Sequence, residues 1–301
     1  MSVERPMSNR AILWLVVLAV FVVLMALASF LTSGDKIRGL APIAVTAIGL
    51  IGVFVVYLLT ARSDAWEVGT RQVVYMAIGA ALYGVFNYIF NTIPMPSVSQ
   101  VALRPSVCIP VFFGYVFGPV VGFFTGAVGN ILGDFITGWG VYPAWDIANG
   151  LMGFVPGLIM LFADKKRSLN FLTGLVAVLI AITAVLVFLN PRVPGPWTGE
   201  IEDFSFWAWA FIVGGVVVIA GRFVLEQAGV DLAAINLWGT LGIIVGIGFA
   251  ALSDIWINGY SFATAIIGEF APAAGPNILN SMILSPILLA AYQAIQTRTG
   301  R

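Results

Sequence analysis

Polar side chains occur at helical spacing inside otherwise apolar stretches of this sequence. Asn87 and Asn91 are four residues apart, and so are Asn130 and Asp134. Spacings of three or four place two side chains on one face of an α-helix, where amides and carboxylates can jointly hydrogen-bond a small polar ligand. The basic residue Arg104 can bind an anionic or carbonyl-rich ligand edge. The polar candidates for substrate binding are Asn87, Asn91, Arg104, Asn130, Asp134, Asp146 and Asn149.

Three aromatic residues lie between two of these carboxylates. Trp139, Tyr142 and Trp145 follow Asp134 in a stretch rich in glycine and proline, and Asp146 comes next. Aromatic side chains stack on flat organic rings, but they also form belts at the interface between membrane and water. Residue type alone does not separate these alternatives, so all three aromatics are candidates for substrate binding.

The composition excludes several kinds of chemistry. The chain contains no histidine, and Cys108 is its one cysteine, which removes histidine acid–base catalysis, disulfides and the usual zinc, haem and iron–sulfur ligand sets. Fourteen basic and fourteen acidic residues balance, so no net charge favours a nucleic acid as partner. The sequence lacks a Walker-type phosphate-binding loop. We therefore predict no catalytic residue, resident metal or cofactor, and no enzyme activity.

The elements that position the polar residues are predicted to be membrane helices. The 301 residues are 60% hydrophobic and 9% charged, with a mean hydropathy of +1.01. A soluble domain carries about 25% charged residues, and one membrane crossing needs about 20 apolar residues. The sequence therefore predicts an all-α integral membrane protein, surrounded by lipid. The ten predicted spans are 11–31, 41–60, 71–91, 104–117, 119–134, 146–163, 171–189, 206–225, 235–257 and 277–296.

Charge placement predicts the orientation of these spans. With the N-terminus inside, ten of the fourteen Lys and Arg residues, including the cluster at 165–167, are cytoplasmic and four are outside. Both termini are then cytoplasmic. The short spans 104–117 and 119–134 are either two kinked helices or one re-entrant hairpin, and both alternatives preserve the later topology.

This orientation brings the polar clusters to the outer ends of several spans. Buried polar groups are costly in a bilayer, so we expect them to face a protected, outward-facing binding cavity. The alternative is that they are helix-end residues at the water interface. We also expect that Arg104→Ala weakens ligand affinity and leaves folding intact.

Several motifs, in the order in which they follow one another along the chain, resemble those of a known family. Ala77 and Ala81 form an Ala-x-x-x-Ala step, Phe-Gly-Pro-x-x-Gly-Phe occupies 117–123, and Asn-Gly-Leu-x-Gly occupies 149–153. This succession resembles the S components, or substrate-binding subunits, of energy-coupling factor (ECF) vitamin transporters, most closely the riboflavin-type group. The likeness covers about 71–163 and, more weakly, 235–296.

The resemblance implies a fold, partners and a location. An S component has six core helices, so residues 67–301 are expected to be the S-component-like membrane domain. The additions would be an N-terminal helix pair in 1–66 and an inserted pair at about 168–228. The family docks onto a transmembrane coupling protein and two cytoplasmic ATPases, and its Ala-x-x-x-Ala face, here Ala77 and Ala81, contacts the coupling protein. The expected location is a bacterial cell membrane, as a multi-pass protein.

Two functions follow from these observations. The first is a high-affinity subunit of an ATP-driven importer for a vitamin-like small molecule, with riboflavin favoured by resemblance only. The second is a stand-alone secondary transporter of a small organic solute, with Asp134 or Asp254 as the proton or ion site.

Overall fold

The fold is known from a computed structural model that describes residues 40–94, 97, 100–194 and 200–299. The first predicted span, 11–31, lies outside the described residues. Within these ranges the chain is almost entirely helical. The helices are α1 Leu40–Thr60, α2 Thr70–Phe90, α3 Cys108–Phe117, α4 Pro119–Thr137, α5 Pro143–Gly157, α6 Lys165–Leu189, α7 Ser205–Ala228, α8 Val230–Ile257 and α9 Ala271–Thr299.

Short elements connect the helices. Three 3₁₀ turns cover Asp64–Trp66, Pro105–Val107 and Leu158–Leu161, and a π-helical segment, Thr264–Phe270, leads into α9. Between α6 and α7, strand β1 (Val193–Pro194) pairs antiparallel with strand β2 (Ile201–Glu202), with Val193 opposite Glu202.

The described helices confirm an all-α membrane protein. Eight of them, each taken with the short element that continues it, are long and apolar enough to cross a membrane, and Pro105–Phe117 is a shorter apolar segment. Each of the nine predicted spans that fall on described residues coincides with a helix. Their apolar outer faces are exposed side chains such as Val74 and Ile78 on α2, as expected of a surface that contacts lipid.

The ambiguous stretch 104–134 forms two separate helices. Gly118 joins α3 to α4, and its φ of 106° lies in the left-handed region that favours glycine. Pro119 then occupies the first turn of α4, where a missing N–H costs no helical hydrogen bond. Because this connection is so tight, α3 and α4 pack directly on each other and on α5.

Glycines allow α4 and α5 to approach closely. A Cβ placed on Gly126 of α4 would lie 1.9 Å from the carbonyl oxygen of Asn149 on α5, and one on Gly122 would lie 2.2 Å from the carbonyl oxygen of Gly153. Such contacts require small residues, as is usual where membrane helices meet backbone to backbone. The remaining helices extend this core, because α2 packs on α4, α8 packs on α5, and α7 packs on α9.

We predict that Gly126→Ala destabilises the protein by about 1–3 kcal/mol, because one added methyl group must push α4 away from α5. The measurement is the thermal unfolding midpoint in detergent. Gly52→Ala and Gly174→Ala are matched controls, since a Cβ at either position meets no atom within 4 Å. Equal midpoints for all three variants would show that α4 and α5 are not closely packed at Gly126.

Candidate substrate-binding site

A cavity opens at the end of the helix bundle where α2, α4 and α8 finish and α5 starts. Its volume is about 380 Å³, which is within the range of small-molecule sites. Pro42 of α1, the segment 100–104, the segment 139–145 and the end of α8 contribute to its walls. The cavity therefore draws on both halves of the sequence.

Aromatic side chains form much of the wall. The three predicted aromatics, Trp139, Tyr142 and Trp145, all line the cavity, and Tyr260 joins them. Trp139 and Tyr142 are 40% and 36% exposed, so each has ring surface available for contact. Burial, together with the Asp134 carboxylate, raises the pKa of the Tyr142 phenol, so its hydroxyl remains a hydrogen-bond donor at neutral pH.

Backbone geometry holds this aromatic loop in place. Gly138, with φ 83°, ends α4 in the left-handed conformation, and Gly140 has φ 91°. The Trp139 N–H donates to the Asp134 carbonyl at 2.9 Å. Pro143 then begins α5. Glycine and proline thus turn the chain sharply between two helices and bring the indole of Trp139 to the cavity.

Arg104 is the centre of a buried polar network beside this cavity. Its Nε donates to Asn91 Oδ1 at 3.0 Å, its Nη2 donates to Asp134 Oδ1 at 2.8 Å, and its Nη1 donates to Asn130 Oδ1. The Arg104 backbone N–H donates to Asn277 Oδ1 at 3.3 Å. Arg104 is 7% exposed, so its guanidinium is almost wholly enclosed by protein.

Two amides complete the pairing of the Asp134 carboxylate. Asn91 Nδ2 donates to Asp134 Oδ1 and Asn130 Nδ2 donates to Asp134 Oδ2, both at 2.9 Å. Asn130 Nδ2 also donates to Asp146 Oδ1 at 2.7 Å, which ties α4 to α5. Asp146 is fully buried, and its Oδ2 has no hydrogen-bond partner among the described residues.

Asn87 and Asn149 belong to a deeper layer of the same region. Asn87 Oδ1 accepts from Ser106 Oγ at 2.8 Å, and Asn149 Oδ1 accepts from Tyr83 Oη at 2.5 Å. Both asparagines are buried, at 0% and 2% exposure. These hydrogen bonds join α2 to the segment before α3 and to α5.

The structure therefore divides the predicted site residues into two groups. The cavity wall contains Arg104, Asp134, Trp139, Tyr142 and Trp145. The residues that form the supporting network but do not line this cavity are Asn87, Asn91, Asn130, Asp146 and Asn149. A direct contact between this second group and a ligand stays a prediction.

Sequence reasoning left several participants out of the candidate site. Asp254 and Asn258 line the cavity, and Asn258 Nδ2 donates to Asp254 Oδ1 at 2.7 Å. Their four-residue spacing was a usable signal. Tyr83 and Ser106 carry no such signal, because a lone hydroxyl in an apolar helix looks like ordinary packing. Glu269, fully buried in the π-helical segment, does not line the cavity, but it was detectable as an acid within an apolar stretch.

The described residues contain no group of three or more His, Cys, Asp or Glu side chains arranged to hold a metal ion. The side chains that line the cavity offer hydrogen bonds, charge and aromatic contact.

Comparison with known proteins identifies the segment that builds most of this site. The family model described as "ECF-type riboflavin transporter, S component" matches residues 67–193. Residues 67–193, here termed the S-component segment, are therefore similar to the S-component family. The predicted resemblance is confirmed. The S-component segment includes the side-chain partners of the Arg104 guanidinium and the three predicted aromatics, whereas Asn277 and Asp254 lie beyond it.

Similar proteins occur in Vibrio and Aliivibrio bacteria. A UPF0397 protein of Vibrio atlanticus is 35% identical over 99 residues, which is 32% of this chain and 52% of that protein. UPF0397 proteins of Aliivibrio salmonicida and Aliivibrio fischeri are each 32% identical over 100 residues, covering 33% of this chain and 54% of each relative. The chain thus spans about half the length of these relatives. No solved structure matches the chain.

The geometry of the S-component segment changes the expectation for Arg104. We now predict that Arg104→Ala lowers stability by about 3–5 kcal/mol, because removing the guanidinium leaves the Asp134 carboxylate buried without its cation. The double variant Arg104→Met/Asp134→Leu removes both charges and should recover much of this loss. Thermal unfolding in detergent tests both, with the exposed Arg62→Ala as control. A fully stable Arg104→Ala would show that the ion pair is not structural.

Proposed function

We propose that this protein is the high-affinity substrate-binding membrane subunit of an ATP-driven ECF importer for a vitamin or related micronutrient. The observation that carries this proposal is the aromatic-walled cavity at one end of a membrane-helix bundle, beside a buried polar network and lined mostly by a segment similar to the S-component family. Such a cavity suits capture of a small organic molecule. Riboflavin is favoured by family likeness alone.

Uptake against a gradient would need partner proteins. The sequence has no phosphate-binding loop of its own, so the proposal assigns ATP hydrolysis to two cytoplasmic ATPases and docking to a transmembrane coupling protein. Ala77 and Ala81 are both exposed on α2. A small-residue step on an exposed helix face permits close approach by another membrane helix, which supports these alanines as the docking surface.

The proposed domain organisation keeps 1–66 as an N-terminal addition, 67–301 as the S-component-like domain, and about 168–228 as an inserted helix pair. The family match continues across α6 to residue 193, so the first helix of the insertion lies inside the matched segment. Pro42 of α1 lines the cavity, which supports a role for the N-terminal addition in closing the site. The protein is a bacterial multi-pass membrane protein. We propose that both of its termini are cytoplasmic.

We predict that the detergent-purified protein carries a stoichiometric vitamin-like molecule, because a high-affinity site retains its ligand through purification. Mass spectrometry of the small molecules released by denaturation is the measurement. Ligand-free protein that also binds no vitamin in solution would contradict the proposal.

A second prediction concerns the docking surface. Ala77→Trp and Ala81→Trp should prevent co-purification with a co-expressed coupling protein, because each indole blocks close helix contact, while ligand binding stays unchanged. Leu82→Trp is the control, since Leu82 is also exposed but faces a different side of α2. Equal co-purification of all three variants would remove Ala77 and Ala81 from the docking surface.

One observation favours a second candidate, an ion-coupled secondary transporter. Glu269 is fully buried in the π-helical segment Thr264–Phe270, and buried intramembrane acids commonly serve as proton or ion sites. π-helical segments are also frequent at functional sites. Uptake by vesicles that contain this protein but no ATPase, driven by an ion gradient, would favour this candidate and contradict the importer subunit.

A further inference from the structure

Gln100 adopts a backbone conformation that its residue type does not favour. Its φ is 52°, and it is the one non-glycine residue with a positive φ in the described part of the chain. The left-handed region brings the Cβ atom close to the backbone, so glycine, asparagine and aspartate occupy it far more readily than other residues do. Glutamine lacks the short polar side chain that hydrogen-bonds locally in asparagine and aspartate. The turn alone therefore does not account for a glutamine at this position.

Backbone hydrogen bonds hold the turn around Gln100. The Gln100 N–H donates to the Ser97 carbonyl oxygen at 2.9 Å, and the Val101 N–H donates to Ser97 Oγ at 3.0 Å. Further along, the Leu103 N–H donates to the Ile93 carbonyl oxygen at 2.8 Å. None of these hydrogen bonds uses the Gln100 side chain, so a glycine at this position would form the same turn without the steric cost of a Cβ atom.

The Gln100 side chain is exposed and lines the cavity. Within the described residues, no hydrogen bond involves its carboxamide. In contrast, Arg104 and Asp134 of the same wall are 7% and 3% exposed and pair with each other. The Gln100 carboxamide is therefore open to a ligand in the cavity. Residues in sparsely populated backbone conformations cluster at binding sites, where the surrounding structure holds them in place.

We propose that Gln100 is a specificity-determining residue whose carboxamide hydrogen-bonds the edge of a flat, neutral ring that has an N–H group next to a C=O group. A carboxamide carries a donor and an acceptor side by side, so it pairs with both groups of such an edge, whereas a carboxylate offers acceptors alone. Trp139 and Tyr142 in the same wall offer ring surface to the same ligand. This inference rests on the proposed function, because it takes the cavity as the substrate site.

The test measures riboflavin binding to the full-length, ligand-stripped protein in detergent by isothermal titration calorimetry, because the riboflavin ring system has such an edge. Gln100→Met keeps the length of the side chain and the positive φ but removes the carboxamide. It should weaken riboflavin binding about 3- to 10-fold, the effect of losing neutral hydrogen bonds, and leave the thermal unfolding midpoint unchanged. Gln293→Met is the matched control and should alter neither quantity, since Gln293 is exposed on α9 and does not line the cavity.

Gln100→Gly separates the contribution of the backbone from that of the side chain. It should raise the unfolding midpoint of the ligand-free protein by about 1–4 °C, because glycine adopts the left-handed conformation without strain. It should also weaken riboflavin binding at least as much as Gln100→Met does. A gain in stability together with a loss of affinity is the behaviour of a residue that is present for its side chain.

A second ligand locates the contact on the ring. N3-methylriboflavin lacks the ring N–H group, so it should bind the unmodified protein more weakly than riboflavin does. The difference in affinity between the two ligands should largely disappear in Gln100→Met, because that variant has no carboxamide to sense the missing donor.

Three results would overturn the inference: failure of riboflavin to bind, unchanged riboflavin affinity in both folded Gln100 variants, or an equal preference for riboflavin over its methyl derivative before and after Gln100→Met. Purified protein that retains a different small molecule and binds no riboflavin would overturn the inference and leave the importer proposal intact. Gradient-driven uptake without an ATPase would instead contradict the importer proposal itself.

Discussion

The buried ion pair between Arg104 and Asp134 is the interaction on which the site depends. A guanidinium and a carboxylate withdrawn from water lose several kcal/mol of hydration each, and only close pairing with additional hydrogen bonds offsets that loss. Here Nη2 and Oδ1 are 2.8 Å apart, and Asn91 and Asn130 bind both charged partners. Because these four residues come from the end of α2, the segment before α3, and α4, their pairing fixes the mutual position of three parts of the chain.

Close helix contact is the condition that makes this pairing geometrically feasible. Gly126 lets α4 meet the backbone of α5 at Asn149, and Gly84 of α2 stands where a Cβ would lie 2.9 Å from Leu132 of α4. At these separations short amide side chains span the gap between helices, so Asn130 reaches Asp146 at 2.7 Å. Larger residues in place of the glycines would separate the helices beyond the reach of such short side chains. The polar network therefore depends on the close helix packing that the small residues allow.

Much of this architecture was predictable from the sequence, and the exceptions have physical reasons. Hydropathy located the helices, because each crossing requires a long apolar run. Four-residue spacing identified the helix faces that carry Asn91 and Asp134. The spacing of residues within one helix does not indicate which groups on other helices their side chains contact. Spacing therefore did not reveal that all three guanidinium nitrogens of Arg104 donate to protein oxygens. Arg104 lines the cavity, and its contact with a ligand stays a prediction. Asp254 was left outside the candidate site although it lines the cavity and its four-residue spacing to Asn258 marked it as part of a polar cluster at a helix end.

The division of the cavity between two parts of the chain has a consequence for how specificity can vary. The S-component segment supplies the ion pair and the Trp139 loop, so it provides a buried polar floor and an aromatic part of the cavity wall. Pro42 of α1 and Asp254 of α8 complete the wall from outside that segment. Because both members of the buried ion pair, Arg104 and Asp134, lie within residues 67–193, substitutions at Pro42 or Asp254 can alter the shape of the wall and leave both members in place. The matched segment and the rest of the chain therefore contribute different parts of the wall, and α2, which carries Ala77 and Ala81, contributes no residue to it.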